Sequence, residues 1–190
     1  MAVLVAKLGG SLAASALLPD WLDAIAAGAG HVVLVPGGGP FADAVRTTQH
    51  ALGFDDATAH AMALLAMAQY GLFLAGRHAA LLPAESPHAI ADALRARRVP
   101  VWLPPRTLGP ADGVPASWDV SSDSLALWLA ARLAVPALLL VKSRSDGDDL
   151  LDAAFAGLRP GYAGHVYVAG PEHLPRDGID PLHPPGVMLP

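Results

Sequence analysis

Residues 2–12 read AVLVAKLGGSL, an apolar run that stops at Lys7-Leu8-Gly9-Gly10-Ser11. A buried strand that ends at two glycines, with helix-forming residues soon after, lets main-chain N–H groups approach a phosphate with no side chain in the way. Residues 31–36 (HVVLVP) repeat that grammar, ending in Gly37-Gly38-Gly39 and followed by the helical-looking PFADAVR. A third run, residues 137–141 (ALLLV), ends in Lys142-Ser143. Three strand ends, two rich in glycine and two carrying a lysine, describe a surface for polyanions.

The 190 residues suit one domain, and 53% hydrophobic against 15% charged content predicts a well-buried core. A net charge of −5 argues against a nucleic-acid partner, because affinity for a phosphate backbone needs a basic face. The one small basic cluster, Arg95 to Arg98, reads as the solvated end of a helix. With no cysteine, disulfides and thiolate metal sites are excluded. Residues 2–16 are apolar and contain Ala-Ser-Ala, yet Lys7 interrupts them, so a secretory signal is not expected and the cytoplasm is. Residues 61–75 are the most apolar long run, carry Gln69 and fall short of the roughly 20 residues a bilayer crossing needs, which predicts a buried helix and no membrane. The eight histidines show no i, i+4 pair, so no protein-bound metal is expected.

Between the first two runs, Pro19 and Asp20 open a helix over 17–29 that Gly28 and Gly30 stop. Strand, helix and strand then form a parallel pair, with both glycine loops at carboxyl ends of strands, where open α/β sheets bind ligands. Helices are expected over 40–51, 56–76 and 86–98, the last capped by Ser86 with Pro87 behind it, and a strand over 99–103. Residues 104–117, with four prolines and two glycines, form a loop long enough to be a flap or an acceptor-contacting segment. Ser121 caps an apolar-faced helix whose first turn holds Asp123, which spacing alone explains as compensation of the helix dipole. Farther on, 143–149 is a polar turn, 150–158 a short helix, 165–169 a last strand and 171–190 a proline-rich tail, expected to be extended or frayed.

KLGGS, PGGGPFADAVR, WDVSSDSLALWLAARL and LLLVKS, in that order, resemble the amino acid kinase family over roughly residues 1–145. The resemblance implies a three-layer αβα sandwich around a mainly parallel sheet, with 1–118 as the acceptor and phosphate half and 119–190 as an abbreviated nucleotide half. It implies a kinase that moves the γ-phosphoryl of ATP, with Mg2+ carried by the nucleotide, and a homodimer or larger assembly. Trp-Asp-x-Ser-Ser-Asp before a helix and Val-Lys-Ser after the next strand are most similar to the branch that phosphorylates (aminomethyl)furanmethyl phosphate in methanofuran-type cofactor synthesis. A small phosphorylated acceptor is therefore expected.

Carried over residue by residue, the resemblance gives Lys7 to the β- and γ-phosphate oxygens and Lys142 to the ATP phosphates. Asp123 becomes the residue that orients the transferring lysine. Gly9, Gly10 and Ser11 donate to the phosphoryl being moved, while Ser143, Asp146 and Gly147 lie beside the nucleotide. Gly37, Gly38 and Gly39 face the acceptor. Arg46 faces either solvent or the acceptor phosphate, and Asp43 is either a contact for the acceptor's amine or a solvated helix residue. Other acceptors (isopentenyl phosphate, a nucleotide, an amino acid) and a non-catalytic binding or storage protein of the same fold stay open. Isopentenyl phosphate kinases carry a histidine after the triple glycine, where this chain has Phe41-Ala42-Asp43.

Overall fold

The three apolar runs fold as the three central strands of one sheet: β1 (Leu4–Leu8), β2 (Val32–Pro36) and β5 (Ala137–Val141). All their residues are buried, as parallel strands covered on both faces require. The computed structural model describes residues 2–105, 108–147 and 150–190. Strands β3 (Leu81–Ala84), β4 (Val99–Trp102), β6 (His165–Ala169) and β7 (Val187–Met188) complete a sheet in the order β3-β4-β2-β1-β5-β6-β7. Pairing is parallel throughout, apart from β7 running antiparallel to β6. The chain builds outward from β1 to one edge and then returns to lay β5 on the other side of β1. That reversal is the place where open α/β sheets leave a crevice for ligands.

Helices cover both faces. Helix α1 (Leu18–Ala27) sends Trp21, Leu22 and Ile25 onto the side of the sheet bearing Leu4, Ala6, Leu8 and Leu34. The opposite side, with Val5, Val33, Val35, Leu138 and Leu140, is covered by α4 (Pro87–Arg95), α5 (Ser122–Arg132) and the short α6 (Phe155–Leu158). Side chains alternate along a strand, so Lys7 falls on the Val5 face and therefore beneath α5. The architecture is the expected three-layer αβα sandwich.

Helix α2 (Gly39–Leu52) starts at the triple glycine and turns through Gly53, at φ 73°, into α3 (Asp56–Ala75). Asp55 caps α3 by accepting from the Thr58 amide at 2.7 Å. By length and composition α3 could cross a membrane, but it belongs to the sandwich: Leu64, Met67, Tyr70 and Leu74 are buried in the two cores. Its outer side leaves Leu65, Leu72 and Phe73 exposed.

Several expectations change. Strand β3 was not foreseen, because Leu81-Leu82-Pro83-Ala84 is only four residues long and contains a proline, tolerated here at a sheet edge. The helix expected over 150–158 shrinks to Phe155–Leu158. The tail is not frayed: Ile179 is buried and its amide donates to Ala24 O at 3.0 Å, and β7 pairs with β6. Pairing at an open sheet edge offers the tail hydrogen bonds that composition does not reveal. In the 104–117 loop, Arg106 and Thr107 lie outside the described residues, as do Asp148 and Asp149 of the 143–149 turn. Around the first pair the loop is packed down, with Leu108 and Val114 buried and Asp112 O accepting from Trp128 Nε1 at 3.0 Å.

The two glycine loops touch backbone to backbone. A Cβ on Gly37 would stand 2.3 Å from the Gly10 nitrogen and 2.8 Å from its Cα. Gly37→Ala is accordingly expected to cost about 1–3 kcal/mol as the loops are forced apart, read as a lower denaturation midpoint with an unchanged slope.

Candidate active site

Strands β1, β2 and β5 are in register, so Leu8, Pro36 and Val141 end level and their continuations share one rim of the sheet. Backbone bonds hold the first residue past each strand in place: Gly9 N donates to Val141 O at 3.0 Å, Gly37 N to Leu8 O at 2.9 Å, and Lys142 N to Ala169 O at 2.8 Å. Gly10 to Ala14 then tighten into a 3-10 turn. Ser11 Oγ donates to Ser143 Oγ at 2.9 Å, joining the end of β1 to the end of β5.

Above this rim the amino end of α5 brings Asp123 between the two lysines. Lys7 Nζ is 2.8 Å from Asp123 Oδ1, and Lys142 Nζ donates to Asp123 Oδ2 at 2.5 Å. Lys7 and Asp123 are 4% and 3% exposed and Lys142 is half-buried, so the carboxylate and one ammonium are buried while the second ammonium reaches the rim. Burial works against ionising Asp123, but Lys7 and then Lys142 outweigh it and hold its carboxyl below the usual range. Lys142 goes the other way: burial first, then the like charge of Lys7, lower its pKa to about 8, with Asp123 and Asp152 pulling it back up.

Beside the cluster lies a cavity of about 250 Å3 lined by Gly10, Ser11, Gly38, Gly39, Asp43 and Arg46. Its remaining walls include Leu64, Met67 and Leu125, with His60, Trp118, Ser121 and Ser122 as polar or aromatic members. Gly39 has a φ of 54° and rests on the ring of Tyr70, which sets the height of the loop. The Arg46 guanidinium lies 4.3 Å from the centre of the Trp118 ring and 3.5 Å from Asp43 Oδ1. Trp118 is itself pinned by donating from Nε1 to Gln49 Oε1 at 2.5 Å.

Of the residues singled out from sequence, Lys7, Asp123 and Lys142 meet directly, and Gly10, Ser11, Gly38, Gly39, Asp43 and Arg46 share the cavity. Gly9 and Gly37 stand behind that wall as the first residues after their strands, and Ser143 joins through Ser11. Asp146 and Gly147 lie in an exposed stretch outside the cavity. Sequence reasoning missed His60, Trp118 and Asp152. His60 is a buried histidine in the mainly apolar α3, its Nε2 3.0 Å from Leu108 O, and the available signal was a histidine set among alanines on that helix. Among the described residues no group of three or more His, Asp or Glu side chains could hold a metal.

An αβα sandwich that gathers two lysines, a shared carboxylate and two glycine loops at its switch point is built as a phosphotransferase. The chain belongs to the amino acid kinase family, whose model matches residues 2–147, and it is a small-molecule kinase. It is 27% identical over 150 residues to 5-(aminomethyl)furan-3-ylmethyl phosphate kinase of Methanocaldococcus jannaschii, covering 78% of this chain and 68% of that protein. Its fold is that of uridylate kinase from Archaeoglobus fulgidus (TM-score 0.68, 15% identity, 88% of this chain and 90% of that one). It is similarly that of UMP kinase from Ureaplasma parvum (TM-score 0.65, 16% identity, 91% of each chain). An isopentenyl phosphate kinase matches at TM-score 0.59 and 14% identity over 98% of this chain and 100% of that one.

Two stability measurements probe the cluster. Asp123→Ala leaves the buried Lys7 ammonium and the half-buried Lys142 ammonium without a counter-charge and is expected to cost roughly 3–5 kcal/mol, whereas Lys142→Met leaves a one-to-one pair and should be neutral or stabilising. The pH dependence has its origin in the same charges. With a folded pKa of about 8 against an ordinary 10.5, Lys142 gives up its proton in the fold before it would in the unfolded chain. Its contribution to unfolding free energy therefore rises across that window, and Lys142→Met should abolish the rise. Asp123 has the same sign in a lower window: its stabilisation is present above the ordinary 3.8 and is lost as pH falls through its lower folded value, so stability rises with pH there too. Urea titrations at stepped pH check both limbs.

Proposed function

We propose that this protein transfers the γ-phosphoryl of ATP to a small phosphate monoester, making a diphosphate, with (aminomethyl)furanmethyl phosphate as the acceptor. The observation that carries this is the Lys7–Asp123–Lys142 cluster opening beside a cavity walled by both glycine loops. Residues 1–118 supply the acceptor side and 119–190 the nucleotide side.

In the reaction an acceptor phosphate oxygen attacks the γ-phosphorus, the bond from that phosphorus to the β–γ bridging oxygen breaks, and ADP leaves with the electron pair. The acceptor is already an anion, so no base is needed. The protein's task is position and charge. Lys7 neutralises β- and γ-phosphate oxygens as negative charge shifts toward ADP, and Lys142 holds the ATP phosphates. Asp123 keeps both ammoniums aimed. Gly9, Gly10 and Ser11 donate to the phosphoryl in flight, and Ser143, Asp146 and Gly147 flank the nucleotide. The donor set suits a triphosphate, and magnesium carried by that nucleotide would supply further charge neutralisation.

On the acceptor side, Gly37, Gly38 and Gly39 and the amino end of α2 take the phosphate. The Trp118 ring, Leu64, Met67 and Leu125 offer flat and apolar walls for a small ring, Arg46 swings from Trp118 to the phosphate, and Asp43 pairs with the amine. The likeness to the furan-bearing phosphate kinase favours this acceptor over isopentenyl phosphate, which has no amine for Asp43. The exposed Leu65, Leu72 and Phe73 of α3 make the surface on which two copies meet, in a cytoplasmic homodimer.

A coupled assay of ADP release across a panel of phosphate monoesters tests the reading, the amine-bearing furan phosphate giving the highest kcat/KM. Lys7→Ala should lower turnover by about 10³-fold or more, and the rate should fall on the alkaline side near pH 8 as Lys142 loses its proton. ATP binding with no acceptor-stimulated release would instead mean a binding protein. Light scattering should give twice the chain mass, and Leu72→Glu should halve it.

A further inference from the structure

Asp152 lies beyond the exposed 143–147 stretch, in a segment that contributes nothing to the cavity wall. Its carboxylate nevertheless reaches back to the amino end of α5. Oδ2 accepts from Ser121 N at 2.9 Å, Ser121 Oγ at 2.8 Å and Ser124 N at 3.0 Å, while Oδ1 accepts from Ser124 Oγ. Four donors on one carboxylate are more than a local cap supplies. Ser121 Oγ, which donates to Asp152, accepts in turn from Asp123 N at 3.4 Å. Asp123 is thus flanked on both sides by serines that a single distant carboxylate clamps.

We infer that Asp152 is a positioning residue of phosphoryl transfer, acting through Ser121 and Ser124 to hold the first turn of α5 so that Asp123 keeps Lys7 and Lys142 in line with the reacting phosphates. Two features make this more than a structural cap. The amides it satisfies belong to the turn that carries Asp123, so a shift of that turn moves the carboxylate both lysines share. Its negative charge is also felt by Lys142 and, together with that of Asp123 and against the positive charge of Lys7, favours the protonated amine. A neutral residue at 152 would loosen the aim and lower the ammonium's pKa together.

The inference rests on the kinase reading, so its test has one arm that needs turnover and one that does not. Asp152→Asn keeps the shape but faces the serine donors with an amide. It should reduce kcat about 10²-fold, as a displacement of the reacting geometry does, while KM for ATP and acceptor stays within twofold. Ser121→Ala, which removes the relay hydroxyl and leaves the bonds to Ser124, should cost about tenfold, and the double variant should lose less than the product of the two. It also serves if Asp152→Asn does not fold. The second arm tracks the Lys142 ε-carbon NMR shift against pH in wild type and variant. The midpoint, near 8 in wild type, should fall on loss of Asp152. A kcat within threefold of wild type, or a loss confined to KM, overturns the inference. If wild type transfers phosphoryl to no acceptor, the kinase reading fails, and the Lys142 titration alone then decides: a lowered midpoint supports the role of Asp152 and an unmoved one overturns it.

Discussion

A single carboxylate shared by two ammonium groups, one buried and one at the rim of the sheet, holds the rest of the site in place. Lys7 and Lys142 repel each other, and burial penalises both, so neither could be held where it is without Asp123 between them. The sheet brings the lysines together because β1 and β5 are in-register neighbours, and α5 delivers the carboxylate because its amino end, with its partial positive charge, lies over that pair. The cluster still carries one positive charge more than it needs. That excess makes an anion the ligand the site's electrostatics favour.

The glycine loops serve the same end by a different route. Gly10 and Gly37 are packed so closely that neither tolerates a Cβ, and Tyr70 supports Gly39 from below. The main chain is thereby offered to a ligand at a height set by aromatic packing in the core. The cavity on this side is closed by a chain of contacts from Asp56 through Gln49 to Trp118, in which Gln49 Nε2 donates to Asp56 Oδ1 at 2.9 Å and Trp118 donates to the same glutamine. A residue of the helix pair α2–α3 thus fixes the wall contributed by the stretch that leads into α5. The cavity and the charged cluster share α5, which lines the one through Ser122 and Leu125 and supplies Asp123 to the other.

The carboxyl-terminal quarter behaves as a strap. It crosses under α1 at Ile179, pairs with the sheet edge at β7 and, through Asp152, closes on the amino end of α5. The strap joins what composition presents as a loose tail to the turn that carries Asp123.

The order of residues along the chain was enough to define the sheet and its rim. Apolar runs ending in Lys-Leu-Gly-Gly-Ser, Gly-Gly-Gly and Lys-Ser, with helical periodicity between them, admit little other than parallel strands with their loops at one end, and Lys7, Asp123 and Lys142 were legible from motif order. Local rules of this kind work because strand burial, capping and glycine turns depend on neighbours within a few residues. What tertiary structure alone decided are the partnerships between distant segments. Asp123 lies 116 positions from Lys7 yet shares its charge, Asp152 clamps serines 28 and 31 residues earlier, and His60 and Trp118 become walls of one cavity. β3 and β7 exist because a sheet edge was there to pair with. Which carboxylate meets which ammonium is fixed by strand order and helix placement, and those are properties of the packed whole.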